Sequence, residues 1–291
     1  MLWIFLSAGA AGFQVARNSL QRGLLPAAGP WGATLVRFLF GLPFTLVAIA
    51  VAFALNPGAA PHVSARFWIA ALAGAAAQVG ATASLLVSMR RSSFALGTCF
   101  QQSSLPMSAL IGLIGFGDRL HPMTWAGIAL ATTGLMVLSW PRQGAKDWSG
   151  AWFGLASGCG FGIATNGFRQ AGLALDAAHP VLAGIVTVGV VQAVQSVGLI
   201  AYLAMRDRGS LVAALKSWRE SIYAGLFGST ASAMWFVALA MAPAGPVRAI
   251  NVVEIPLASI AGRRIFKERM NLRQRIAAWV TAGGVIMSAM G

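Results

Sequence analysis

The chain has 291 residues, 57% of them hydrophobic and 10% charged, with a mean hydropathy of +0.73 and a formal net charge of +14. Folding that composition in water would expose more apolar surface than a soluble domain tolerates, so a soluble globular domain is excluded and the lipid bilayer is the expected solvent. The basic residues sit at the ends of apolar runs rather than in one patch, which excludes nucleic acid as a partner and assigns most of the charge to snorkelling and topology.

Ten apolar segments of roughly 15 to 25 residues, the length that crosses ~30 Å of hydrocarbon, use up the chain. In order they are Leu2–Ala16, Trp31–Leu55, Phe67–Val87, Phe94–Phe116, Met123–Trp140, Trp152–Phe168, Val181–Met205, Ile222–Met241, Pro246–Ile265 and Ile276–Met290. Runs this long without period-two alternation predict helices, since barrel strands need only ~10 residues. The polar connections Asn56–Arg66, Pro141–Gly150, Arg169–Pro180 and Arg206–Glu220 are short enough for surface loops, and Pro141–Gly150 is the natural joint between two halves. Leu2–Ala16 lacks a basic leader and reads as a retained helix rather than a signal peptide.

The second half repeats the punctuation of the first. Pro106, Gly112, Phe116, Arg119 and Gly134 recur as Pro256, Gly262, Phe266, Arg269 and Gly284, each 150 positions later, and Asp118 meets Glu268 at that offset. Upstream, Gly12, Phe13, Ala16 and Asn18 are echoed by Gly160, Phe161, Ala164 and Asn166. An odd number of helices per copy makes the copies face opposite ways. The expected fold is therefore an all-α integral membrane protein of about ten transmembrane helices, arranged as two inverted five-helix repeats over residues 1–141 and 150–291. Sixteen basic residues follow odd-numbered segments and four follow even-numbered ones, so the positive-inside rule puts the odd connections in the cytoplasm and both termini outside.

Nothing in the pattern argues for covalent chemistry. Cys99 and Cys159 lie in apolar segments without metal-type spacing, and His62, His121 and His179 are scattered through connections. No serine stands in a nucleophile elbow. The expectation is no enzyme, no catalytic residue, no metal and no cofactor.

Intramembrane polarity is where function is expected, because an ionisable group in hydrocarbon is costly and faces a cavity or a partner. Of seven acids only Glu254 lies well inside an apolar run, two residues before Pro256, and Arg248, Asn251 and Glu254 share a slanting ridge at three-residue spacing. Glu254 reads either as a substrate-binding or proton-coupling carboxylate, or as half of a structural ion pair. Gln101 takes the place of Asn251 in the first copy, and each amide stands five residues before a proline, which loosens the preceding turn. Those prolines either open a central cavity or make packing kinks. Asn18 and Asn166 cap or bind on the first and sixth segments. Arg37 enters the second segment as a snorkelling group or a counter-charge, and Gln78 and Trp235 are cavity candidates on the third and eighth.

Taken together, the paired halves, each with a proline, a glycine and an acidic residue before a last helix bearing Gly134 or Gly284, resemble the EamA family of the drug/metabolite transporter (DMT) superfamily over essentially the whole chain. Pro26 through Arg37 into Phe38 resembles that family's entry to its second helix. Gly117–Asp118–Arg119–Leu120 resembles its acidic turn, and the second copy reads Lys267–Glu268–Arg269–Met270, with lysine in place of the glycine.

The resemblance implies a secondary transporter, in the first instance an exporter, that moves a small polar metabolite such as an amino acid across a bacterial inner membrane by alternating access. Characterised relatives keep both termini in the cytoplasm, against the charge count. A channel or facilitator, or an intramembrane enzyme, is the alternative. The expected substrate site comprises Gln101, Asn251, Glu254, Asn18, Gln78, Asn166, Trp235, Arg37 and Arg248, with Glu254 as the coupling group. The expected partners are a metabolite and the lipid bilayer, and the monomer is expected to suffice.

Overall fold

The structure, a computed structural model, describes residues 2–104, 106–107, 110–111, 113, 121–139, 148–176, 178–241, 253–268 and 270–290. Among these the secondary structure is helical throughout: α1 (Leu2–Leu39), α2 (Leu42–Leu55), α3 (Ala65–Arg91), α4 (Phe94–Gln101), α5 (Pro122–Ser139), α6 (Ser149–Leu175), α7 (Pro180–Arg206), α8 (Arg208–Lys216), α9 (Trp218–Met241), α10 (Glu254–Arg264) and α11 (Leu272–Met290). They form two compact units, one of Met1–Val79 with Ala164–Ala242 and the other of Gly80–Ile163 with Pro243–Gly291.

In the first unit α1 bends at Gly29, whose φ of 61° and ψ of 179° lie between Pro26 and Pro30. Proline cannot donate into the helix and a left-handed φ suits glycine, so the local sequence dictates the kink. The short α8 packs at this bend, and a Cβ on Gly32 would lie 2.9 Å from the Ser210 carbonyl oxygen. Asp207 caps α8, accepting from the Ser210 N–H at 3.0 Å and from its hydroxyl at 2.6 Å. Those bonds, the hydroxyl's above all, hold the Asp207 carboxyl below the usual carboxylate range. Two apolar clusters form the core: Leu35, Phe38, Leu199 and Leu203 in one, and Phe67, Ala71, Phe168, Ala183 and Val191 among those in the other.

In the second unit α4 and α10 run antiparallel. Glu268, just past α10, accepts from the Phe94 N–H at 2.8 Å, and at the other end the Gln102 side chain reaches Glu254. Glycines at four-residue spacing on α6 let it approach α4: Gly150 faces Ser92, Gly154 faces Phe100 and Gly158 faces Ser103. The crossing of α5 and α11 is reciprocal. Gly134 lies against Thr281 and Ala277, while Gly284 lies against Ala131 and Gly127. These residues are themselves paired at the 150-residue offset, so the sequence echo becomes a local pseudo-twofold crossing.

The number of crossings is corrected. Among the described residues three helical stretches are long and apolar enough to cross a membrane: Trp3–Leu55, which covers α1 and α2, Ala65–Arg91 and Pro180–Arg206. Pro122–Val137 is apolar but short. The fourth expected segment is broken by a turn at Gln102 and Ser103, after which Ser104, Pro106, Met107, Leu110, Ile111 and Leu113 are again helical; of the ninth, residues 246–252 lie outside the described residues, and Glu254–Arg264 is an eleven-residue helix. Glycine, serine and Asn166 dilute the apolar content of α6, and α11 opens on Arg273, Gln274 and Arg275. About ten transmembrane helices in two inverted five-helix repeats is therefore not the fold these residues show.

The functional expectation built on that fold falls with it. A carrier that rocks two embedded halves around a central site requires a full set of crossing helices, and the described residues supply three. The alternating-access exporter of EamA type, with the multi-pass and efflux character attached to it, is set aside, as are the channel and intramembrane-enzyme alternatives framed on the same helices. The charge count changes at two residues. It counted Arg17 and Arg22 in a connection, and both lie inside α1.

Two substitutions test this packing. Gly284 faces the Ala131 backbone, whereas a Cβ on its neighbour Gly283 meets nothing within 4 Å. Gly284→Ala is expected to cost ~1–3 kcal/mol through overpacking, while Gly283→Ala gains ~0.5–1 kcal/mol from helix propensity; melting curves of the purified chain decide it, and equal effects would refute the close crossing. Lys267 holds a φ of 56° where the first copy has Gly117. Lys267→Gly is expected to stabilise by ~1–2 kcal/mol, read as a rise in melting temperature; a fall would contradict the strained turn.

Candidate functional site

The polar interior of the first unit is built on one face of α9. Gly225, Gly228, Ser229 and Ser232 follow at helical spacing, so they point the same way. Gly225 lies against the backbone of Phe40, at the junction of α1 and α2. A Cβ on Gly228 would come 3.1 Å from Arg17 Cδ and 3.3 Å from Arg37 Cγ. The missing side chain thus makes room for two arginines of α1, which are 1% and 4% exposed and close enough to repel each other.

Hydrogen bonds fix the surroundings. Arg17 donates to Asn18 Oδ1 from Nη2 at 2.7 Å and from Nε at 3.2 Å. From α2, Thr45 donates its hydroxyl to Gln192 Oε1 of α7 at 2.7 Å. Gln192 Nε2 in turn donates to Ser229 Oγ at 3.4 Å, and Ser229 donates to the Gly41 carbonyl at 2.8 Å. One turn along α7, Gln195 donates to Gln78 Oε1 at 2.8 Å and to the Ala75 carbonyl at 3.1 Å. Four helices are thereby tied around one polar seam.

Beside that seam runs a narrow cleft of about 10 Å³, lined by Arg37, Gln78, Gln192 and Ser232 and walled by apolar side chains including Phe168 and Phe236. The two phenylalanine rings stand 5.7 Å apart. In the same unit the buried Asn18 Nδ2 and Gln195 Oε1 find no hydrogen-bond partner. The first unit holds three acids, Asp176, Asp207 and Glu220, and all stand in connections or at the start of a helix. The cleft is therefore a cationic, donor-rich place in an apolar wall.

Of the residues expected from sequence, Arg37 and Gln78 line this cleft. Asn18 is fully buried beside Arg17. Trp235 is buried on α9, and Asn166 is half-buried on α6. Gln101 and Glu254 belong to the second unit. Gln101 is the buried last residue of α4, and its Oε1 lacks a hydrogen-bond partner. Glu254 is fully buried in the first turn of α10 and accepts from Gln102 Nε2 at 3.1 Å. Asn251 and Arg248 lie outside the described residues.

Sequence reasoning missed Arg17, Thr45, Gln192, Gln195 and Ser229. The two glutamines carried a usable signal, since both interrupt the apolar run Val181–Met205. Arg17 did not, because it stands where an apolar run stops and so reads as a connection.

Comparison with family models finds none that matches the chain, and comparison with curated proteins finds no match. A solved structure described as "Crystal structure of protein" is similar over 98% of this chain and 96% of its own length, at 16% identity and a TM-score of 0.50. At that identity the likeness concerns the fold alone.

The seam makes a stability prediction. Gln192→Leu removes the acceptor of Thr45 and the donor to Ser229, leaving buried polar groups unmatched at ~1–3 kcal/mol. Thermal unfolding of the purified variant is expected to show the loss, and an unchanged melting temperature would mean the seam contributes nothing to the fold.

Proposed function

We propose that the chain is a membrane-embedded protein of a bacterial plasma membrane that binds a small anionic or zwitterionic metabolite in the cleft of its first unit. The observation that carries this reading is the placement of Arg37 with Gln78, Gln192 and Ser232 in an otherwise apolar cleft, with Arg17 alongside. Two buried arginines close enough to repel each other are costly in an apolar interior, and an anionic ligand beside them favours both charges.

The size of the cleft narrows the ligand. The cleft as it stands has a volume of about 10 Å³, room for about one water and far below the ~300–1,000 Å³ of drug-sized sites, so a ligand enters only as its walls part, which favours a carboxylate of a few heavy atoms. The motif resemblance to the EamA family is part of this proposal and favours the same metabolite class. Arg37 and the glutamine amides bind the carboxylate, and the Phe168–Phe236 pair excludes water.

The test is equilibrium binding on the full chain in detergent, with short carboxylates, amino acids and the matching neutral amides and amines. Carboxylates are expected to bind and to raise the melting temperature with occupancy, and amides and amines are not. Arg37→Gln is expected to weaken binding ~10- to 100-fold, the value of a charge-assisted hydrogen bond; if that variant does not fold, Gln78→Ala carries the test with a smaller loss. Equal binding of carboxylates and amides would overturn the reading.

A further inference from the structure

In the second unit α5 and α11 leave a groove of about 550 Å³ along their crossing. Its walls are Gly134, Val137, Leu272, Ile276 and Val280, and Arg273 stands among them as the charged group. Leu272 and Ile276 are more than half exposed, and Met136 and Trp279 extend the apolar surface beside them. Bare apolar surface of this kind is stable against hydrocarbon and not against water.

The charge around the groove is one-sided. Between Arg263 and Arg275 the chain carries six basic residues, Arg263, Arg264, Lys267, Arg269, Arg273 and Arg275, and one acid, Glu268. That acid is already engaged as the acceptor of the Phe94 N–H. Arg263, Arg264, Lys267, Arg273 and Arg275 are exposed. An apolar trough with an arginine in its wall and more basic groups beyond matches an amphiphile with a hydrocarbon tail and an anionic head. A second copy docked face to face would bring two such basic segments together, which like-charge repulsion opposes.

We infer that the α5–α11 groove is a binding site for an anionic phospholipid, with an acyl chain lying along Val137, Ile276 and Val280 and the phosphate held by Arg273. The chemistry is the one by which basic pockets on membrane helices select anionic headgroups. This site is separate from the cleft of the first unit and does not depend on it.

The experiment uses the full chain in neutral detergent, titrated with phosphatidylglycerol or with phosphatidylcholine of the same acyl chains and read by native mass spectrometry and thermal shift. Phosphatidylglycerol is expected to bind several-fold more tightly. Arg273→Gln is expected to cut that preference about fivefold, the worth of one basic group near an anionic surface. Val280→Trp, which fills the groove, is expected to weaken binding of both lipids, while Arg206→Gln, at the exposed end of α7, changes neither. The proposal is overturned if the two lipids bind alike, if the preference survives Arg273→Gln, or if soluble glycerol phosphate displaces the lipid as well as phosphatidylglycerol does, since the groove would then contribute nothing. It is also overturned if the chain is a dimer that Val280→Trp dissociates, because the groove would then be an interface between copies.

Discussion

The first unit depends on how close α9 comes to α1. Gly225 lets it touch the backbone at Phe40, and Gly228, one turn on, lies against the stems of both arginines. The next positions on that face, Ser229 and Ser232, are polar and enter the seam and the cleft. One stripe thus performs two tasks. Its small residues remove the bulk that would hold the helices apart, and its hydroxyls satisfy groups that close approach has cut off from solvent. With larger residues there, the arginines would have to leave the interior or α9 would have to move away.

The second unit solves a related problem with its repeat. Residues 150 apart on α5 and α11 make equivalent contacts across the crossing, so one small-residue pattern serves both sides of it. The turn after α10 shows what the repeat tolerates. Lys267 adopts a left-handed conformation at the position where the first copy has glycine. The following N–H, from Glu268, closes back on the Gly262 carbonyl at 3.0 Å, and the Glu268 side chain caps α4. The acidic residue of that motif is therefore a structural cap in the second copy, and its position in the turn is what keeps Lys267 strained.

Apolar segment positions were readable in the sequence because hydrophobic runs report burial in any apolar medium. Their lengths as helices were not. Phe94–Phe116 reads as one run, yet α4 ends at Gln101 and the polar Gln102 and Ser103 make a turn before the chain is helical again from Ser104, with Pro106 in the new first turn, where a missing donor is tolerated. Leu2–Ala16 reads as ending before Arg17, yet α1 continues through Arg17, Asn18, Gln21 and Arg22 to the bend at Gly29. A hydropathy window stops at such residues because it scores each side chain alone. The Gly228 gap and the Asn18 acceptor that make Arg17 tolerable are contributed by tertiary packing, which no window contains. Arg37, Gln78 and Glu254 were found by asking which polar groups interrupt apolar runs. The same question put to Val181–Met205 would have found Gln192 and Gln195.

The polar groups also divide by the kind of partner they meet. Gln21 donates to the Ala33 carbonyl at 2.7 Å across the bend of α1, which is a structural brace. Thr45, Gln192 and Ser229 form a relay that ends on the Gly41 carbonyl, next to the turn that separates α1 from α2. That carbonyl also accepts from the Thr45 N–H at 3.1 Å, so the turn is held from two sides and the relay has a structural purpose of its own. Arg37 and Gln78 differ because they reach a space rather than only a turn. The cleft beside Arg37 thus stands apart from those turn-holding contacts, and a buried arginine charge there is what favours the anionic or zwitterionic solute proposed above.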